Sequence, residues 1–112
     1  MRVKVQACVG GTEVWEDIKQ LKSGGTHVVV GTPGRILDMM KRGFLKTDYL
    51  KIIVIDDADG MFSRGFKSQI QDILKFLSVE IQIALFATTL FNEILAMTKH
   101  FMRDPAKILV KN

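Results

Sequence analysis

A chain of 112 residues with 47% hydrophobic and 25% charged side chains has the length and apolar content of one packed domain, which excludes a disordered polymer. Sixteen Lys and Arg against twelve Asp and Glu leave a net charge of +4, a mild bias towards anionic partners that many proteins share without touching nucleic acid. One cysteine rules out an internal disulfide or a cysteine metal site, and no stretch nears the roughly 18 uninterrupted apolar residues of a membrane span.

The opening MRVKVQ leads into no long apolar region, so it does not read as a signal peptide, and a soluble, reducing compartment is expected. The first expected element is a strand over Val3–Val9, in which Cys8 reads as a buried, inert thiol, and Gly10-Gly11 ends it. A helix follows over Thr12–Ser23, with Val14, Ile18 and Leu21 on one face and Gly24-Gly25 closing the turn. The second strand, Thr26–Val30, runs through Gly31 into Thr32-Pro33-Gly34-Arg35. There Thr32 can cap a helix, Pro33 fits its first position, and Ile36, Leu37, Met39 and Met40 supply a buried stripe. After the longer link Arg42–Leu50, the apolar strand Lys51–Ile55 ends on Asp56-Asp57-Ala58-Asp59. A helix over Phe66–Leu77 buries Ile70, Ile73, Leu74 and Leu77. The strand Ile81–Phe86 ends on Ala87-Thr88-Thr89, and a helix over Phe91–Met102 follows, stopped by Asp104-Pro105. Lys107–Val110 reads as a fifth strand.

Strand and helix therefore alternate, which predicts an α/β fold with a parallel sheet and helices on both faces. The six Met and seven Phe fall mainly on apolar faces, where core packing is their expected role, and Trp15, His27 and His100 stand isolated.

In open α/β sheets ligands bind beyond the carboxyl ends of the strands, and four unusual segments fall there. Gly10-Gly11 lets a backbone approach closely, or simply makes a turn. Thr32, Pro33, Gly34 and Arg35 open a helix whose N–H groups, hydroxyl and guanidinium suit a phosphate, although ordinary capping explains Thr32 equally well. Asp56, ending an apolar strand, is placed to hold a hydrated Mg²⁺ beside a nucleotide, and Asp57 to orient the attacking water. Three acids in four positions repel one another without a cation or donors nearby, which favours function over a plain turn before Gly60. Ala87-Thr88-Thr89 brings two hydroxyls towards that cluster.

In this order and spacing the segments GGT, VVGTPGRILDM, IIVIDDADGM, SRGFKSQI, ATTL and KHFMRDPAKILVKN resemble the DEAD-box RNA helicases, and within them the translation initiation factor 4A subgroup. The resemblance spans residues 1–112 and implies a partial RecA-like domain of the P-loop NTPase type, from the Gly-Gly element to the domain's end. It implies that Gly10, Gly11, Thr32, Pro33, Gly34 and Arg35 lie along the backbone of single-stranded RNA, contacts that read no sequence. It further implies that Asp56 holds the Mg²⁺ of ATP through water, that Asp57 stands at the catalytic base position, and that Asp59 couples to Ala87, Thr88 and Thr89. Implied partners are RNA and translation-initiation or RNA-processing factors, in cytoplasm or nucleus, with no membrane.

The sequence also departs from the family pattern. Asp57 stands where the family has Glu, withdrawing the carboxylate by one methylene, and Ala87 removes a hydroxyl from the family's Ser-Ala-Thr. Gly60 replaces a usual acid and Phe91 a common Pro. No G-x-x-x-x-G-K-[ST] loop occurs in these residues, and neither the adenine-reading segment nor the second RecA-like domain is present. The chain as given is therefore expected to bind neither ATP nor Mg²⁺ on its own and to be inactive as an ATPase. The missing phosphate-loop strand would lie between Ile81–Phe86 and Lys107–Val110, so an unpaired strand edge and exposed apolar surface are expected, closed by the last strand or by a partner chain. Two readings follow: a segment of an ATP-dependent RNA helicase, or a catalytically inactive remnant that binds RNA or partners weakly. A phosphate-receiver domain is excluded, because its acidic pair belongs on the first strand and its phosphorylated Asp on a later one.

Overall fold

The computed structural model describes residues 3–11, 13–89, 92–103 and 105–106. The elements are β1 (Val5–Cys8), α1 (Val14–Ser23), β2 (Val28–Gly31), α2 (Pro33–Lys41), β3 (Ile52–Ile55), α3 (Ala58–Ser63), α4 (Lys67–Lys75), β4 (Gln82–Leu85) and α5 (Asn92–Phe101). The expected alternation is present, with one addition. Residues Ala58–Ser63 form a six-residue helix that no apolar period announced, because it is short and carries Gly60, a poor helix former, in its middle. The expected fifth strand, Lys107–Val110, lies outside the described residues, as does the expected helix start at Phe91.

The strands pair in parallel, as the alternation requires, but in two separate pairs. β1 lies beside β2 with Val5 opposite Val28 and Cys8 opposite Gly31. β3 lies beside β4 with Ile52 opposite Gln82 and Ile55 opposite Leu85. Among the described residues no ladder joins one pair to the other. Gly31 is required by close approach: a Cβ there would sit 2.1 Å from the Cys8 carbonyl oxygen and 2.9 Å from Ile36 Cδ1.

Helix ends follow local chemistry. α1 carries Glu16 and Asp17 in its first turn and Lys22 in its last, complementing its dipole, and Gly24, at φ 76°, ends it. α2 opens on Pro33, whose missing N–H costs nothing there. Thr32 occupies the cap position as expected, yet its hydroxyl makes no cap bond and is used elsewhere.

The core gathers on one side of the strands. Ile55, Ala58, Ile70, Leu74, Ile94 and Met97 form its main cluster, and Leu37, Met40 and Ile73 form a second; Ile53 packs against both. On the other side Val5, Val28, Val30, Ile52 and Val54 remain exposed, with Val5 at 61% and Val54 at 58%. Each forgoes roughly half of the about 1.5–3 kcal/mol that full burial of such a side chain would give. The apolar surface expected from the sequence was an edge between Ile81–Phe86 and Lys107–Val110; the side chains exposed here lie instead on β1, β2 and β3, and Lys107–Val110 is outside the described residues. Phe76 and Phe86 are also exposed, against the core role expected for the phenylalanines in general. Among the described residues no helix is long and apolar enough to cross a membrane.

Replacing Gly31 by Ala should force β1 and β2 apart and lower stability by about 1–3 kcal/mol, the usual cost of overpacking, read as a lower urea midpoint. A midpoint equal to that of the parent chain would show that the two strands tolerate a methyl group between them.

Candidate functional site

The carboxyl ends of β1 and β2 form one half of the site. The Gly10 N–H donates to Thr32 Oγ1 at 3.1 Å, and the Thr32 N–H donates to the Cys8 carbonyl at 3.2 Å. The glycine pair and the first turn of α2 are therefore tied together. Gly11 sits at φ 90°, a conformation that favours glycine. Gly10, Gly11, Thr32 and Gly34 are exposed and Pro33 is buried, so the backbone of this turn faces outward while its ring packs inward. Arg35 is directed inward: its Nη1 donates to Asp17 Oδ2 at 2.6 Å, with 9% and 8% of the two side chains exposed.

The carboxyl ends of β3 and β4 form the other half. Backbone bonds run from the Phe86 N–H to the Ile55 carbonyl and from the Ala58 N–H to the Phe86 carbonyl. Asp59 is buried, and its Oδ2 accepts from the Thr88 hydroxyl at 2.6 Å and from the Thr89 N–H at 3.0 Å. The Thr88 hydroxyl above all, helped by the backbone N–H groups of Thr89, Gly60 and Thr88, holds the Asp59 carboxyl below its ordinary 3.8, against the burial that raises it. Its Oδ1 is buried without a hydrogen-bond partner among the described residues. Ala87 carries no hydroxyl and packs against the main core cluster.

Asp56 and Asp57 are both exposed at the end of β3, but they are not equivalent. Asp57 has a left-handed backbone, φ 56° and ψ 47°, which Asp tolerates better than most residues. Its carboxylate folds back over α3: a Cβ on Gly60 would lie 2.3 Å from Asp57 Oδ2, and Arg64 Nη2 donates to the same oxygen at 3.3 Å. The two departures from the family pattern are thus coupled, since Gly60 makes the room that the Asp57 carboxylate occupies. Both partners of the Arg64 pair are more than half exposed, so its contribution to stability is small.

For a metal, the described residues hold no group of three His, Cys, Asp or Glu placed to bind one. Asp56 fits a narrower role, because one exposed carboxylate suits a hydrated Mg²⁺ held mainly by phosphate oxygens.

Each pair of strand-end segments is thus brought together, the glycines with the Thr32 turn and Asp59 with Thr88-Thr89. Asp17, Gln6 and Arg64 were missed from the sequence. For Asp17 a signal existed, because it lies three residues after Val14 and four before Leu21, on the buried face of α1. Cys8 is buried, as expected, and burial pushes its thiol pKa up, with Asp17 adding to the effect. His27, isolated in sequence, accepts a bond from the Lys4 N–H on its Nδ1 at 3.0 Å.

Comparison with known proteins matches the chain to one family. Residues 1–97 match the DEAD/DEAH box helicase family. The chain is 56% identical to eukaryotic initiation factor 4A of Cryptosporidium parvum over 109 residues, which are 97% of this chain and 27% of that protein. It is 52% identical to eukaryotic initiation factor 4A of Drosophila melanogaster over 111 residues, 99% of this chain and 27% of that protein. The crystal structure of a DEAD box protein from the hyperthermophile Methanococcus jannaschii superposes with a TM-score of 0.87 at 37% identity, covering 92% of this chain and 28% of that one. The chain therefore spans about a quarter of the length of these relatives.

The Asp59 bonds make a pH prediction. A carboxyl whose folded pKa is lowered contributes stability that is complete above its unfolded pKa and lost as pH falls through the folded value. An Asp59→Asn variant should therefore melt below the parent chain at neutral pH, and the gap should close as pH drops from about 4 towards 2. Melting curves across that range check it; a gap independent of pH would separate the stabilisation from the carboxylate's charge.

Proposed function

Because this chain belongs to the DEAD/DEAH box helicase family, we propose that it supplies the RNA-backbone edge and the acidic nucleotide motif of an initiation factor 4A-like, ATP-dependent RNA helicase. The observation that carries the reading is the bond from the Gly10 N–H to Thr32 Oγ1, which makes one surface of the glycine pair and the first turn of α2. On that surface Gly10, Gly11, Thr32, Pro33 and Gly34 offer close backbone approach, N–H groups and a hydroxyl to successive phosphates, with Arg35 in the same turn. Such contacts fix the strand without reading its bases, and binding of this kind weakens steeply with salt.

On the acidic side, Asp56 would help to hold the Mg²⁺ of ATP, which neutralises charge on the phosphates, and Asp57 stands at the base position. Asp59, bonded to Thr88 and Thr89, carries movement of the acidic turn to the end of β4, which is the coupling step of this reading. Single-stranded RNA and translation-initiation or RNA-processing factors are the partners proposed, in cytoplasm or nucleus.

A specific observation favours a second reading for the 112 residues by themselves, namely RNA or partner binding without ATP turnover. The Asp57 carboxylate is turned onto Gly60 and Arg64, and no G-x-x-x-x-G-K-[ST] loop occurs in this sequence to cradle a triphosphate. The purified chain is expected to bind single-stranded RNA of any sequence, with log affinity falling by about 0.7 per neutralised phosphate for each tenfold rise in salt. The same chain is expected to release no phosphate from ATP, with or without RNA. RNA-stimulated phosphate release would overturn the second reading, and failure to bind any RNA at low salt would overturn the proposed edge.

A further inference from the structure

We propose that Asp17 is a positioning residue for the RNA-side edge: it holds Arg35 and so fixes the first turn of α2, with Thr32, against the Gly10-Gly11 loop. The inference rests on the reading of that edge as the RNA-backbone surface and goes one layer beneath it.

The tie is buried and short. Arg35 Nη1 and Asp17 Oδ2 are 2.6 Å apart, and nine-tenths of each side chain is out of solvent. The residues are 18 positions apart and belong to different helices, so the bond fixes α2 to α1. The surroundings brace Asp17 in turn. Gln6, buried on β1, donates from Nε2 to the Asp17 carbonyl at 3.1 Å, and its Oε1 accepts from the Thr26 hydroxyl at 3.4 Å. β1, α1, the approach to β2 and α2 thus meet at one polar cluster under the exposed edge.

Position and charge both give the pair its role. Arg35 is the third residue of α2, and the Ile36 N–H donates to the Thr32 carbonyl at 3.0 Å, so holding Arg35 holds the turn that starts at Thr32. A cation in the first turn of a helix opposes the helix dipole, and Asp17 offsets it. Asp17 itself lies in the first turn of α1, where a carboxylate is favoured. Because the guanidinium is engaged below the surface, Arg35 acts on RNA through the placement of Thr32 and Gly34.

The test uses two variants of the purified chain. Asp17→Asn removes the charge that holds Arg35. The double variant Asp17→Leu with Arg35→Met replaces the pair by apolar side chains, a change that buried ion pairs often tolerate. Amide-resolved hydrogen exchange at Thr32 and Ile36 reads the turn, Phe86 serves as the control in the other strand pair, and affinity for a fluorescent oligouridylate reads the edge. Asp17→Asn is expected to lose protection at Thr32 and Ile36, keep it at Phe86, and bind RNA about tenfold more weakly. The double variant is expected to regain both. Unchanged protection and affinity in Asp17→Asn would overturn the inference, as would a double variant that regains protection but not affinity, which would make Arg35 a direct phosphate ligand. If Asp17→Asn also loses Phe86, the double variant decides alone. If protection behaves as expected but no chain, parent included, binds RNA, the tie stands and the RNA reading of the edge fails.

Discussion

In a parallel pair of strands both chains leave at the same end, and the link between them must cross back along the sheet. Most of this molecule follows from that constraint. Between β1 and β2 the return is α1; between β3 and β4 it is α3 and α4. The consequence is that Gly10-Gly11 meets the Thr32 turn, and the acidic turn meets Thr88-Thr89, although 22 and 29 positions separate the bonded residues. Gly31 belongs to the same constraint, since β1 and β2 approach too closely for any side chain at that position.

The acidic turn shows how three like charges are accommodated within four residues. Asp59 is buried against two donors, Asp57 is folded back to Arg64 through a left-handed backbone while still exposed, and Asp56 is left facing solvent. Donors to Asp59 and Asp57, with Asp56 left in solvent, reduce the repulsion that their spacing would otherwise impose.

The uncovered side of the strands has a different physical meaning. β-branched residues at Val5, Val28, Val30, Ile52 and Val54 are the side chains that pleated, half-buried surfaces favour, yet here they face solvent. In relatives of about four times the length, such a face has far more chain available to cover it.

The sequence by itself determined what depends on near neighbours along the chain. Short β-branched apolar runs and a period of 3.6 marked five strands and four helices, of which four strands and all four helices lie among the described residues, Gly24 and Pro33 marked helix ends, and the run of motifs identified the helicase family that residues 1–97 match. The tertiary structure alone decided the choice of partners. That Arg35 turns to Asp17, that Asp57 folds over Gly60, that Thr32 spends its hydroxyl on Gly10, and that the described strands form two pairs rather than one sheet were not written in any local pattern. The reason is physical: hydrophobic periodicity fixes which face of an element is buried, whereas a hydrogen bond or ion pair also depends on which other element packs against that face, and at what height.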